Sequence, residues 1–330
     1  MADRYYVGGN GSKWDLTSSW ATSSGGTPGA SVPTSADNIF FDSNSGLQSA
    51  SNITYNTSST LNCNNVTVSQ AGLLGFGTGS LVLQIYGNAV FLNMTTPPLS
   101  VKFYGGSQTV QSNGASTVLY AYGSSLTLRD DLTAYVVLHY SGDLDFNGHN
   151  VTAPTIISSL SAPGHMYLRS GTITVTSAFL IMSSQTTLVP GTAVLRITGT
   201  LTLYAGVPAL YSVVTTGSVA FPTVSCTFTS LQLARGYNYT FAAGVTYSIA
   251  NPIVQAGNGT TTIGLISGST NFVWASNVQQ VLSNATINAC TAIGAGHPFL
   301  AIGSSKLTKP PSATACVGWI GPQAIGFTGD

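Results

Sequence analysis

The run Asp143-x-Asp145-x-Asn147-Gly148 has the most chemistry-like spacing in this chain. Oxygen ligands at alternate positions, with glycine sixth, match the first half of a calcium-binding EF-hand loop. That loop also requires a bidentate Glu at its twelfth position and flanking helices. Here the twelfth position is Pro154, and the surrounding residues alternate as strands do, so the EF-hand is rejected. A looser calcium site using both carboxylates stays open. So does the plain alternative, a solvent-facing strand that ends in an Asn-Gly turn. The same two acids could serve glycoside hydrolysis, which needs a pair of carboxyl groups about 5–9.5 Å apart. On one strand face they would stand about 6.7 Å apart. Asp130 and Asp131 are adjacent, so a strand would point them to opposite faces. The chain has only nine acidic residues, so the supply of acids is thin.

Other constellations are weaker. His139, His149, His165 and His297 show no metal spacing, and no G-x-S-x-G nucleophile elbow occurs. Gly75-Phe-Gly-Thr-Gly79 lacks the dinucleotide spacing and leads into a strand-like run rather than a helix. Cys63, Cys226, Cys290 and Cys316 are far apart and form no CxxC, so they read as buried thiols. Cys290 with Cys316 is the one pairing worth testing. No catalytic residue, metal ligand or cofactor site is assigned. Trp14, Trp20 and Trp274, with 15 tyrosines, offer stacking surface for a sugar. The alternative for the tryptophans of the first 50 residues is a lid, because the end of a stacked-coil fold exposes an apolar cross-section.

A repeated phrase names the elements that must position these groups. Gly142-Asp-Leu-Asp-Phe146 returns as Gly171-Thr-Ile-Thr-Val175, as Gly199-Thr-Leu-Thr-Leu203, and more weakly as Gly217-Ser-Val-Ala-Phe221. Leu144, Ile173 and Leu201 then sit at equivalent places, with a period of about 28 residues. A period of this order signals units that bury their apolar faces by stacking on their neighbours. The predicted fold is all-β: a single-stranded, right-handed β-solenoid, parallel β-helix-like, of on the order of eight coils. A β-sandwich of similar strands is the alternative. Residues 1–50 are expected to form an N-terminal cap or attachment segment, 51–285 the solenoid, and 286–330 a C-terminal cap or oligomer contact.

Composition fits this reading. Only 5% of residues are charged, against about 25% in ordinary domains. Soluble helices wet themselves with Glu and Lys, whereas Ser, Thr, Asn and Gly favour turns and strand surfaces. Almost no helix is expected. The net charge is zero and the cations are scattered, which argues against nucleic acid. The apolar runs Ala134–Leu138 and Ala178–Met182 are too short to cross a membrane. The opening residues lack the apolar core of a signal peptide.

The first segment also carries a likeness. Tyr6-Val-Gly-Gly-x-Gly-x-x-Trp14, then Trp20, then Val32-Pro-x-x-x-Asp37-x-x-x-Phe41-Asp42, resembles the opening of β-solenoid virion proteins encoded by bacteriophages. Related openings occur on bacterial surface proteins. The likeness continues in Leu126-Thr-Leu, in Gly142 to Thr152 and in Ser170 to Val175, and returns in Cys316-Val-Gly-Trp319. These motifs are structural and transfer no catalytic residue. The resemblance implies a non-enzymatic virion protein: an exposed capsid decoration or head spike, self-associated as a trimer and bound to the major capsid protein or other virion proteins. A tail fibre that binds host surface glycans is the second reading, and a polysaccharide-degrading tailspike the third.

Overall fold

The computed structural model describes residues 1–47, 52–53, 60–69, 75–76, 82–91, 99–114, 116–204, 209–257, 261–267, 271–288, 290–293, 299–302, 306–308 and 319–320. The chain is all-β, with 57% strand and 1% helix, and its parallel stacked coils form a β-solenoid of about 10 turns. The one described helical segment is the short 3-10 turn Thr17–Ser19. The described residues cluster into two compact units, Met1–Gly171 with Gln185–Val189, and Thr172–Ser184 with Pro190–Asp330.

In the first unit each coil contributes one strand to each of two parallel sheets. One sheet stacks Thr60–Cys63, Val82–Ile85, Leu99–Phe103, Ser116–Ala121, Leu132–His139 and Val151–Ser158. The other stacks Asp3–Tyr6, Asn38–Phe41, Val66–Val68, Ala89–Val90, Ser107–Gln111, Ser125–Leu128, Asp143–Asp145, Gly164–Tyr167 and Thr186–Val189. Strand alternation points every second residue inward. Inward residues on successive coils align as ladders, such as Leu61, Leu83, Val101, Leu119 and Val137. All five are at most 2% exposed.

The ladders correct the expected period. Val101 pairs directly with Leu119, and Leu119 with Val137, so these coils are much shorter than the interval from Leu144 to Ile173. Leu144 aligns with Leu126 and Met166, whereas Ile173 aligns with Leu195, and Leu201 with Phe179. The repeated glycines mislead because they mark tight backbone approach at different places in the coil. Gly142 turns into a strand at φ +65, and a Cβ there would stand 2.3 Å from the Gly123 carbonyl oxygen. Gly199 instead sits inside Val194–Thr202, at a register shift. About eight coils were expected of residues 51–285, and the stack of about 10 turns also takes in strands before and after that range.

In the second unit Thr172–Ile181, Val194–Thr202, Leu210–Ala220 and Cys226–Ala234 pair in succession. The coils then gain a third strand. Thr246–Ile249 and Ile263–Ser267 pair with Phe272–Ala275 and Ala285–Asn288, and Gln280–Ser283 pairs with Phe299–Ile302. Parallel pairing runs past residue 285, through Cys290–Ile293 and Lys306–Thr308, so the expected boundary there does not end the stack. The loop 294–298 and the run 309–318, with Cys316, lie outside the described residues.

Candidate functional site

The tryptophans singled out for sugar stacking are all interior. Trp14 is 2% exposed, and Trp20 and Trp274 are 0% exposed. Trp20 pairs antiparallel with Tyr6 at the end of its sheet. Its indole N–H donates to the Trp14 carbonyl at 2.7 Å, and the two rings meet edge to face at 4.9 Å. Tyr6 and Phe41 complete this cluster. Trp274 lies edge-on to Phe241 at 5.4 Å, within the second unit. A glycan needs an open ring face, and none of these indoles presents one.

The paired acids do share an outward face of Asp143–Asp145, as the alternation predicts, but neighbouring coils already engage both. Asp143 Oδ1 accepts from the His165 backbone N–H at 2.9 Å and lies 2.9 Å from His165 Nδ1. Asp145 accepts two bonds from Arg169, at 3.0 and 2.7 Å, and one from the Asn147 amide at 2.8 Å. Burial pulls the Asp145 carboxyl upward, yet these hydrogen bonds and the guanidinium charge prevail and hold it below its ordinary value. A carboxyl held ionised cannot act as the general acid that glycoside cleavage requires. Asn147 at φ 53 and Gly148 at φ 81 form the predicted tight turn, closed by His149 N–H donating to Phe146 O at 2.9 Å. Among the described residues no group of three or more His, Cys or acidic side chains comes together.

His149 lies 3.7 Å from Asp131, and His139 is buried at 1% exposure. The Gly142 carbonyl, an acceptor, sits 2.9 Å from His139 Nε2, so that nitrogen carries the proton. Nδ1 then accepts from Ser158 Oγ at 3.0 Å, and Ser158 Oγ lies 2.9 Å from Thr186 Oγ1. Burial pushes the His139 pKa down. Cys63 and Cys226 are buried free thiols and Cys290 is buried. His297, most of Gly75–Gly79 and the partner proposed for Cys290 lie outside the described residues.

The main surface feature escaped the sequence reading. Tyr86, Tyr104, Tyr122 and Tyr140 recur once per coil and stack along the outside of the first unit. Tyr104 and Tyr122 are 4.9 Å apart with planes 7° from parallel, and Tyr122 and Tyr140 are 4.8 Å apart at 13°. Tyr120 stacks beside Tyr122 and Tyr140 at 6.2 Å. Lys102 Nζ stands 5.3 Å over the Tyr120 ring and 5.7 Å over Tyr122. The signal was legible as a Tyr-Gly pair at 86–87, 104–105 and 122–123. These glycines sit where the coil turns, and a Cβ on Gly105 would meet the Tyr86 carbonyl oxygen at 2.0 Å.

No family model, no curated protein and no solved structure matches this chain.

Proposed function

We propose that this chain is a non-enzymatic structural protein of a bacteriophage virion. It is made in the bacterial cytoplasm and exposed on the particle as a capsid decoration or head spike. It assembles as a homotrimer and binds the major capsid protein. Its action is mechanical: stacked strands bury long ladders and pair backbone groups with the coils on either side. The observation that supports this most is the use made of the few acids. Asp131, Asp143 and Asp145 brace one coil against another rather than converge on a cavity. The resemblance of residues 6–42 to phage solenoid openings supplies the particle. Cryo-electron microscopy of whole particles tests it. Solenoid-sized density studding the capsid is the expected result, and purified particles that lack the protein overturn it.

A tail fibre that grips host glycans is the second reading. With the three tryptophans buried, it rests on the exposed tyrosines, such as Tyr86 at 38% and Tyr104 at 36%. Glycan-array binding that Tyr104→Ala abolishes, together with density at the tail tip, would favour it.

A further inference from the structure

We infer that a second copy of this chain docks on the tyrosine-bearing face of the first unit, closing a homo-oligomer. The proposal deepens the homo-oligomeric part of the reading above and rests on that part alone. The face is the outward side of Val82–Ile85, Leu99–Phe103, Ser116–Ala121, Leu132–His139 and Val151–Ser158. Parallel sheets are normally covered on both sides, because their strands are rich in apolar residues. Here one side packs on the coil interior and the other carries Val118, Val136, Leu138 and Ile157 among the tyrosines.

Charge separates this face from its neighbour. Lys102 is its one charged residue among the described positions, and Lys102 already lies over Tyr120 and Tyr122. The neighbouring strands of the other sheet carry Asp143, Asp145 and His165 outward, and the turns that join the two sheets hold Arg129, Asp130, Asp131, His149 and Arg169. Enrichment in tyrosine with depletion of charge marks the core of protein interfaces. A face so nearly neutral needs no partner of opposite sign, so a copy of itself suits it. Five strands about 4.8 Å apart, four to eight residues long, span roughly 500 Å² before side-chain relief. That is more than half of the ~800 Å² each partner gives to a standard interface. The ring geometry disfavours a glycan. The tyrosines stack on one another along the column, so they present edges and hydroxyls rather than open faces.

Sedimentation of the purified full chain at micromolar concentration tests the proposal. The wild-type chain should sediment as an oligomer. The double variant Tyr122→Glu with Leu138→Glu should dissociate at least tenfold more readily with an unchanged circular dichroism spectrum. Thr127→Glu, on the charged sheet, should leave the oligomer intact. A monomeric wild-type chain, or a double variant that stays fully assembled, overturns the proposal. Should the double variant fail to fold, tyrosine nitration of the wild-type chain decides. Tyr104 and Tyr122 should be protected at high concentration and exposed on dilution, with Tyr237 in the second unit as reference. Equal labelling at both concentrations overturns the contact, as does a monomer whose tyrosines only added host polysaccharide protects. A monomer in solution leaves the particle location standing, and absence from particles leaves the contact standing, so the two readings fail separately.

Discussion

The two units solve one packing problem in different ways. The first unit fills its short coils with aliphatic ladders, such as the one from Leu83 to Val101, Leu119 and Val137. The second begins alike, with Ile173, Leu195, Val213 and Leu231, and then lengthens its coils. Tyr239 aligns with Leu265, and Tyr247 with Trp274, so each turn takes in more chain than the step from Leu119 to Val137. The added third strand widens what each coil must fill, and interiors tolerate few voids. Aromatic rings supply the volume. Phe221, Phe241 and Phe272 stack at 4.6 and 4.5 Å, with Tyr247 and Trp274 edge-on to Phe241. The short coils also bury single rings, such as Phe91, Phe103 and Phe146, so what the longer coils add is a cluster of rings in mutual contact, while the ladder rule stays constant.

The largest expected effect breaks the feature both units share. Ile173 is 0% exposed and pairs with Leu195. Ile173→Asp would place a carboxylate between apolar rungs with no partner, a cost of several kcal/mol. No soluble folded protein should be recovered, and a variant with a normal melting curve would sink this register. The next prediction sharpens the contrast between the cores. Phe241→Ala removes the hub of the aromatic cluster and should cost about 3–5 kcal/mol; Leu119→Ala in the narrow coils should cost about 2–5 kcal/mol. Urea titration of each variant measures both. If Leu119→Ala costs clearly more, coil width is the wrong explanation for the aromatic filling.

A smaller effect depends on pH and belongs to the first unit. Burial depresses the His139 pKa in the folded chain. The unfolded chain therefore takes up a proton first as pH falls. Stability is fully present above the unfolded value of about 6.5 and declines below it, by at most about 1.4 kcal/mol per pH unit. Asp145 and Asp131 are depressed carboxyls. Their stabilisation is present above about 3.9 and is lost only as pH falls below that. Melting temperatures of the wild-type chain and of His139→Gln, which keeps a donor and an acceptor, should diverge in slope between about pH 6.5 and 5. Parallel slopes would remove His139 as the cause.

Much of the first unit was legible in sequence, and particular residues show how far. Alternation in Gly142-Asp-Leu-Asp-Phe146 correctly turned Leu144 inward and both acids outward, because strand geometry leaves two faces. Asn147-Gly148 announced its turn through the positive φ that both residues tolerate. The expected period fails because the repeated glycines are not phase markers. Gly142, Gly171 and Gly199 relieve crowding at three different positions in the coil, whereas the recurrence of Tyr-Gly pairs at 86, 104 and 122 carried the true step. The tryptophans admitted two readings, a sugar platform and a lid, for another reason. Composition tells that an indole is present but not which way its strand faces, and Trp20 and Trp274 both fall on inward positions. The coupling of Asp143 to His165 and of Asp145 to Arg169 spans 22 and 24 residues. It depends on register, which no local motif states.

The smallest effect concerns those couplings. Asp145 and Arg169 form a bidentate pair, Arg169 also lies 4.5 Å over the Tyr167 ring, and the arginine side chain is about half exposed. Water screens such a pair, and exposed ion pairs typically contribute about 0.2–1 kcal/mol. Arg169 adopts φ +62, a left-handed conformation that costs a non-glycine residue backbone energy. Arg169→Gly would lose the ion pair and relieve that strain, so the two changes partly cancel. Arg169→Ala loses the pair and keeps the strain. The alanine variant should therefore be the less stable of the two, by under about 1 kcal/mol in urea titration. If the glycine variant is instead the weaker, the strain at this φ is small and the glycine's extra freedom in the unfolded chain dominates.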